Sequence, residues 1–186
     1  NFYCYNDLND SNMNILHISP GGLGLPDRDY YLESDKEKDL ATYRNFLSEY
    51  SKLFGLSLDV DSILNLEKEF AKNTYSNVEK RDPQLMDNST TYEKFQEQFP
   101  EIRLDKIFKL IGISSNNRKI NITNPKFLKN GENGFIDLWK SISLELWKEY
   151  FIMLYIRKIG YYINEETEEK IFDFYSRYLS GTKEMK

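Results

Sequence analysis

The sequence contains one histidine and one cysteine among its 186 residues, and this scarcity excludes several kinds of site. Cys4 has no second cysteine with which to pair, so folding does not require an oxidising compartment. His17 stands alone in a strand-like pattern, which favours a packed, hydrogen-bonded histidine over a metal ligand or an acid-base group. We therefore predict no catalytic, cofactor-binding or metal-binding residue in this chain.

Positive charge and long apolar runs are also scarce. The net charge is −5 and the pI is about 5.1, so the chain has no general basic field that would attract nucleic acid or an anionic membrane. The longest apolar run, residues 150–156, is too short to cross a bilayer, so we expect no membrane segment. Because the sequence begins at Asn1 rather than at a methionine, we interpret it as a piece of a longer protein.

Aromatic residues are abundant. With 14 tyrosines, 12 phenylalanines and 30% charged residues, the composition is typical of a folded chain whose core is built from rings. The length predicts a single domain over residues 1–186. We divide it into a hairpin with a glycine-rich corner at 1–31 and a helical body at 32–186.

The periodicity predicts a mainly α fold: a multi-helix domain with a small N-terminal β-hairpin and one short extra strand. Residues 2–5 and 14–18 flank a polar loop and form the predicted hairpin. Residues 119–123 alternate polar with apolar side chains, as a half-buried or edge strand does. The dipeptides at 130–131 and 133–134 predict an exposed loop over 129–134.

Capping residues mark where the predicted helices begin and end. Asp35 is expected to cap a helix that runs to about Phe54, with Gly55 following its last turn. Asp59 or Asp61 starts a second helix. Its inward face is predicted to carry the apolar residues Ile63, Leu66, Phe70 and Ala71.

The second half of the chain contains four further predicted helices. Residues 90–93 fit a capping box for a short helix with Phe95 and Phe99 inward, and a second short helix follows before Gly112. Asn164 caps the last helix, which Gly181 ends.

The most apolar of the predicted helices starts at Ser143. Its predicted inward residues are Trp147, Tyr150, Phe151, Leu154 and Ile159. Ile152, Met153 and Ile156 lie behind them and predict an apolar outer patch.

The most specific stretch of the sequence is residues 21–31. Its glycines predict a tight, irregular backbone path. Arg28 stands between two aspartates, an arrangement that suits a bidentate ion pair. We predict a structural corner formed by eight residues: Gly22, Gly24, Pro26, Asp27, Arg28, Asp29, Tyr30 and Tyr31.

Residues 22–31 closely resemble the signature in the N-terminal part of the neprilysin family of zinc metallopeptidases. Further blocks that recur in that family, in the same order, are His17-Ile18, residues 66–71 with 81–83, and residues 174–175 with 179–182. The resemblance therefore covers nearly the whole chain. It implies that this is the non-catalytic N-terminal region of such an enzyme.

The resemblance also implies a function and partners. In that family the helical region faces the catalytic half across a closed chamber, which restricts access to short peptides. The HExxH motif that holds zinc has no matching positions here. We therefore expect no cofactor in this segment, zinc in the parent enzyme, and an isolated chain that is inactive. The expected partners are the catalytic half of the same peptidase and short peptides, but not nucleic acid.

Two alternatives to this interpretation remain open. The chain could be a stand-alone helical binding module that has lost the catalytic half, or an unrelated helical scaffold. Animal members of the resembling family are rich in disulfides, so the single cysteine favours a bacterial-type or intracellular member.

Overall fold

The structure is a computed structural model that describes residues 1–110, 112, 118–129 and 134–185. The helices of the described residues are α1 (Asp29–Leu32), α2 (Glu37–Leu53), α3 (Val60–Asn73), α4 (Pro83–Met86), α5 (Tyr92–Gln98), α6 (Leu104–Leu110), α7 (Pro125–Leu128), α8 (Phe135–Ser141), α9 (Leu144–Ile159) and α10 (Glu165–Ile171). The strands of the described residues are β1 (Phe2–Asp7), β2 (Asp10–Ile18), β3 (Ser89–Thr91) and β4 (Lys119–Ile122). The predicted fold class, mainly α with a small N-terminal hairpin, is confirmed.

The chain forms two compact units. Unit 1 comprises Asn1–Gly21 and Lys72–Lys140, and unit 2 comprises Gly22–Ala71 and Ser141–Lys186. The first boundary between them therefore falls inside the glycine-rich stretch. The single domain over 1–186, with its division after residue 31, stays a prediction.

Unit 1 contains a four-stranded sheet in the order β1-β2-β4-β3. β1 and β2 pair antiparallel as the predicted hairpin, β2 and β4 pair parallel, and β3 and β4 pair antiparallel. β4 is the predicted extra strand, but it lies inside the sheet, and Ile120, Asn121 and Ile122 are buried. The prediction of a half-buried or edge strand was therefore wrong, because β3, which overlaps the predicted capping box at residues 90–91, forms the edge of the sheet beside β4.

The residue that caps α5, in unit 1, lies one position after the first residue of the predicted capping box. The Thr91 side chain accepts a hydrogen bond from the Lys94 backbone N–H, so Thr91 is the cap. Phe95 and Phe99 are buried, as predicted. The predicted loop at 129–134 lies, apart from its two end residues, outside the described part of the chain. Residue 111, directly before Gly112 where the second short helix was predicted to end, also lies outside it.

Unit 2 contains the two helices predicted after the corner. A 3-10 turn, Ser34–Lys36, precedes α2, and no side chain caps α2, so the cap predicted at Asp35 was wrong. At the other end of α2, Gly55 has the positive φ of 67° that favours glycine after a helix, as predicted. Asp59 accepts a hydrogen bond from the Ser62 N–H and starts α3. All four residues predicted on the inward face of α3 are buried.

The helix α9 begins after Ser143, whose side chain caps it as predicted, but its rotation differs from the prediction. Trp147 and Tyr150 are buried as expected, whereas Phe151, predicted inward, is 49% exposed. Met153 and Ile156, predicted to form an outer patch, are buried. A helix that is apolar on nearly every side gives no periodic signal for its buried face.

The last helix follows the predicted pattern. Asn164 caps α10 in a reciprocal capping box with Thr167, and Gly181 near the end of the described chain has a φ of 70°. A π-helical turn, Phe172–Tyr178, continues α10. No helix in the described residues is both long enough and apolar enough to span a membrane.

Candidate functional site

The corner in unit 2 is organised around the hydroxyl group of Tyr31, on α1. This oxygen accepts hydrogen bonds from the backbone N–H groups of Gly24 and Leu25 at 2.9 and 3.0 Å. It donates a hydrogen bond to Glu67 Oε2 at 2.6 Å. One tyrosine therefore ties the glycine-rich backbone to a carboxylate on α3 that is fully buried.

The second oxygen of Glu67 has two further partners. The Tyr43 hydroxyl on α2 donates to Oε1 at 3.2 Å, and the Arg157 Nη2 atom on α9 lies 3.6 Å from the same oxygen. Arg157 also donates hydrogen bonds to the hydroxyl oxygens of Tyr43 and Tyr175. We call Tyr31, Tyr43, Glu67, Arg157 and Tyr175 the Glu67–Arg157 cluster.

Burial dominates the electrostatics of this cluster. Burial raises the pKa of the Glu67 carboxyl group, and Arg157 with the two tyrosine hydroxyls offsets part of that rise. Burial and the Glu67 carboxylate raise the pKa of Tyr31 and of Tyr43 well above the usual tyrosine value. Burial lowers the pKa of Arg157, but the tyrosines and Glu67 outweigh it and the net direction is upward. Both phenols thus remain protonated donors and Arg157 remains a cation.

Two of the predicted glycines are required by close packing. A Cβ atom on Gly24 would overlap the Tyr43 hydroxyl and Arg157 Nη1, so only a hydrogen fits there. Gly22 has a φ of 93°, and its carbonyl oxygen accepts a hydrogen bond from the Tyr150 hydroxyl at 2.9 Å. The backbone therefore bends at two glycines, where another residue would strain the backbone or displace the side chains of the cluster.

The remaining predicted motif residues lie nearer to solvent. Pro26 is exposed, and Asp27 accepts a hydrogen bond from the Asp29 backbone N–H at 2.9 Å. The Arg28 Nε atom lies 3.9 Å from Asp29 Oδ1, and a quarter of the Arg28 side chain is exposed. The ammonium group of Lys36 lies over the Tyr30 ring, 5.2 Å from its centroid. The motif is thus buried at Tyr31 and closely packed at Gly24, whereas Pro26 and part of the Arg28 side chain face solvent.

Sequence reasoning missed the two charged members of the cluster. A signal for Glu67 was available, because it lies four residues after Ile63 and four before Ala71 on the predicted inward face of α3. Arg157 lies four residues after Met153 and directly follows the apolar run at 150–156. Buried charges that interrupt an apolar helical face are typical of paired sites.

Unit 1 has a polar centre of its own around His17, on β2. The ring atom Nε2 lies 3.2 Å from the Asn6 carbonyl oxygen, and Nδ1 lies 3.2 Å from the Asn121 Nδ2 atom. These partners fit the tautomer with its proton on Nε2. Asn121 also donates to the Met86 carbonyl oxygen and accepts from the Asn88 N–H. Both nitrogens of the chain's one histidine therefore have protein partners.

The donor set of this chain does not fit a zinc site. Zinc sites use three or four ligands from histidine, cysteine and carboxylate side chains. Over the part of the chain that the structure describes, no group of three or more such residues could hold a metal ion. Cys4 is exposed and His17 is held by amide and carbonyl groups.

Comparison with known proteins places the chain in a family. A family model described as "Peptidase family M13", which covers the N-terminal region of these proteins, matches residues 1–186. The chain belongs to peptidase family M13. The match covers the whole sequence, as the resemblance of the motif at 22–31 and of the later blocks implied.

The curated relatives of this M13 chain are much longer than it is. Endothelin-converting enzyme 1 of Bos taurus is 28% identical over 97% of this chain and 25% of its own length. Neprilysin of Mus musculus is 32% identical over 53% of this chain and 15% of its own length. The zinc metalloprotease Zmp1 of Mycobacterium tuberculosis, solved in an open state, matches the whole chain with a TM-score of 0.88 and 24% identity, over 29% of its length. The M13 chain thus spans about a quarter or less of the curated relatives, and Zmp1 shares its fold.

Proposed function

We propose that this M13 chain is the non-catalytic, helical part of a zinc metalloendopeptidase that hydrolyses short peptides. In this proposal the chain faces the catalytic half across a chamber and limits the size of the peptides that enter. The observation that carries the proposal is the family match over residues 1–186 of a chain that contains one histidine. Relatives that carry this region are named as a converting enzyme, neprilysin and a zinc metalloprotease.

The zinc ion and the reacting groups belong, in this proposal, to the remainder of the enzyme. The residues that the structure describes offer no set of ligands for zinc. Both carboxylate oxygens of the buried Glu67 are engaged by Tyr31, Tyr43 or Arg157. A general base needs an oxygen that can reach a substrate or a water molecule. Glu67 therefore acts as a structural anchor of the corner and not as a catalytic base.

We further propose that the eight motif residues from Gly22 to Tyr31 have a structural role within unit 2. Tyr31 joins the corner backbone to Glu67, and Gly24 leaves room for Tyr43 and Arg157. The hydrogen bond from Tyr150 to the Gly22 carbonyl oxygen holds the first turn of the corner to α9. These contacts order the corner without using any of its side chains for chemistry.

The first test uses the purified chain. We expect no stoichiometric zinc by metal analysis and no cleavage of a short fluorogenic peptide, because the sequence has one histidine and the described residues contain no ligand set. The matched positive control is the full-length parent enzyme with the same peptide. Stoichiometric zinc together with cleavage that a chelator abolishes, in the chain alone, would falsify the non-catalytic assignment.

The second test addresses the size restriction in the parent enzyme. One cleavage sequence is presented both as a short free peptide and within an exposed loop of a folded protein. We expect cleavage of the free peptide only, and cleavage of both substrates once the region equivalent to this chain is released by a cut at an engineered protease site. Equal cleavage of both substrates by the intact enzyme contradicts the chamber role. An open reading frame without HExxH would instead favour the stand-alone binding module.

A further inference from the structure

The strand β1 forms one edge of the sheet in unit 1. The strand order β1-β2-β4-β3 leaves its outer side without a strand partner in the described residues. The side chains of Phe2, Tyr3 and Tyr5 are 41%, 41% and 61% exposed. An edge of this kind presents unpaired backbone groups and is a template for pairing with another strand.

The hydrogen bonds of the hairpin show which backbone groups point outward. Asn1 and Ser19 exchange both of their backbone hydrogen bonds, at 2.9 and 3.0 Å. In an antiparallel pair the hydrogen-bonded positions alternate, so Tyr3 and Tyr5 bond inward to β2 in the same way. Phe2 and Cys4 therefore direct their N–H and C=O groups away from the sheet. Two donors and two acceptors line the free edge at regular spacing.

The free edge of β1 lacks the features that usually prevent pairing. Proteins protect an edge with lysine, proline, a bulge or a very short strand. The other edge strand, β3, has three residues. Residues 2–6 of β1 carry no charge and no proline, and the first irregularity lies after them, between Asn6 and Asp7. A neutral strand can approach an identical neutral strand without charge repulsion.

We propose that β1 pairs antiparallel with β1 of a second copy of this chain, with Cys4 opposite Cys4 about a two-fold axis. In this register the outward groups of the two Cys4 residues bond to each other. Tyr3 then lies opposite Tyr5 of the second copy, and the symmetry repeats this aromatic pair. The two four-stranded sheets become one continuous sheet. The partner of this surface is therefore another copy of the chain, recognised by its own neutral aromatic edge.

The interface buries little area, and this sets the expected strength. Stable protein interfaces bury roughly 1,200 Å² or more in total, which one pair of short strands does not reach. We therefore expect a dimer that forms as concentration rises and dissociates on dilution. Sedimentation velocity of the purified chain under reducing conditions, over a wide concentration series, measures the dissociation constant.

A proline at position 4 tests the backbone pairing directly. Cys4→Pro removes an N–H group that points to the free edge and leaves the inward hydrogen bonds of Tyr3 and Tyr5 intact. We expect Cys4→Pro to weaken dimerisation at least about tenfold, and the matched control Cys4→Ala to leave it unchanged. Circular dichroism confirms that both variants remain folded. A wild type that stays monomeric, or a dimer that Cys4→Pro does not weaken, overturns the proposal.

Disulfide trapping provides a second measurement that requires no proline. Cys4 is the only cysteine in the chain and is exposed, so every cross-linked dimer must join two Cys4 residues. The control is the Cys4→Ala, Met13→Cys variant, because Met13 lies on β2 of the same hairpin and is 54% exposed. We expect diamide to cross-link the wild type much faster than this control. Equal rates contradict the register, and a monomer that binds an extended peptide at this edge contradicts the choice of partner.

Discussion

The two units each contain a buried polar centre, and the two centres differ in charge. In unit 2 the Glu67–Arg157 cluster places a carboxylate and a guanidinium among three tyrosines. In unit 1 the centre consists of His17 and Asn121 with backbone partners. A charge that loses its partner inside a protein carries a far larger desolvation cost than an amide that loses one. The comparison therefore predicts where the chain tolerates substitution least.

Short distances alone do not identify the important ion pair. Arg44 and Asp61 form a bidentate pair at 2.5 and 2.6 Å, but both side chains are about half or more exposed. The Arg157 and Glu67 atoms lie 3.6 Å apart and are almost completely buried. Solvent screens the first pair, whereas the second pair is buried among tyrosine hydroxyls and the backbone of the corner. We therefore expect burial, and not contact distance, to decide which arginine contributes more to the free energy of unfolding.

The largest expected effect follows from removing the cation of the charged centre. Arg157→Met leaves Glu67 buried without a positive partner and should lower the free energy of unfolding by about 3–5 kcal/mol. Arg44→Met removes a better-formed but exposed pair and should lower the free energy of unfolding far less. Urea midpoints of the two variants measure both values. Equal shifts would show that the cluster does not depend on its charge.

A double variant separates the charge from the loss of packing. In Glu67→Gln with Arg157→Met, neither buried side chain is charged, and the Gln carbonyl oxygen can still accept a hydrogen bond from a tyrosine hydroxyl. We expect this double variant to be more stable than Arg157→Met alone, because the unpaired charge has been removed. If the second change adds further destabilisation instead, then lost packing, and not the unpaired carboxylate, causes the effect.

The second prediction concerns the glycine that lies against the charged centre. Gly24→Ala places a methyl group where Tyr43 and Arg157 lie and should cost about 3 kcal/mol through overpacking. Gly55→Ala meets no neighbouring atom but requires a positive φ, which should cost about 1 kcal/mol.

Asparagine distinguishes the two causes, because it adopts the left-handed conformation more readily than alanine. Gly55→Asn should therefore be milder than Gly55→Ala, and Gly24→Asn should be more damaging than Gly24→Ala. Thermal or urea unfolding of the four variants gives this ranking. The reverse order at position 24 would contradict the steric explanation.

The third prediction tests the neutral centre. Asn121→Ala leaves the His17 ring, the Met86 carbonyl and the Asn88 N–H without their shared partner, and should cost about 1–3 kcal/mol. This loss is smaller than that of Arg157→Met because no full charge is left unpaired. Asn12→Ala, at an exposed position of β2, is the control and should change stability by no more than about 0.5 kcal/mol. If Asn121→Ala lowers the free energy of unfolding no more than Asn12→Ala does, the hydrogen bonds of Asn121 do not stabilise the chain.

Local signals account for what the sequence could predict. Ser143 and Asn164 could be predicted as helix starts, and Asp59 as one of two candidates, because such side chains bond to backbone groups only three residues away. The hairpin and the buried face of α3 follow from periodicity in the same way. Asp35 failed as a cap because a 3-10 turn preceding α2 takes its place, an outcome that depends on how the corner enters the helix.

The charged centre depends on contacts between residues far apart in the sequence. Tyr43 and Arg157 are separated by 114 residues, and Tyr31 and Glu67 by 36. A pattern along one helix can place Glu67 on a buried face, but it cannot name the tyrosines and the arginine that make the burial tolerable. The predicted buried face of α9 was wrong for the same reason, because Arg157 points inward to partners on other helices. The motif at 22–31 contributes Tyr31 to the cluster, but the partner of Tyr31, Glu67, lies on another helix.

The last and smallest expected effect concerns Arg28, which the sequence analysis predicts to form an ion pair between the two aspartates of the corner. Its Nε atom lies 3.9 Å from Asp29, and the two side chains are 25% and 39% exposed, so Arg28→Ala should cost about 1 kcal/mol or less. Arg28→Lys should recover part of this loss, because an ammonium group keeps the charge but cannot reproduce the planar guanidinium. If the corner instead contacts substrate, both variants leave the stability of the chain unchanged, and Arg28→Ala lowers activity in the full-length enzyme. Denaturant midpoints of the wild type and both variants decide between these roles, and a shift in neither variant would end the structural interpretation of this arginine while leaving Tyr31 as the residue that holds the corner.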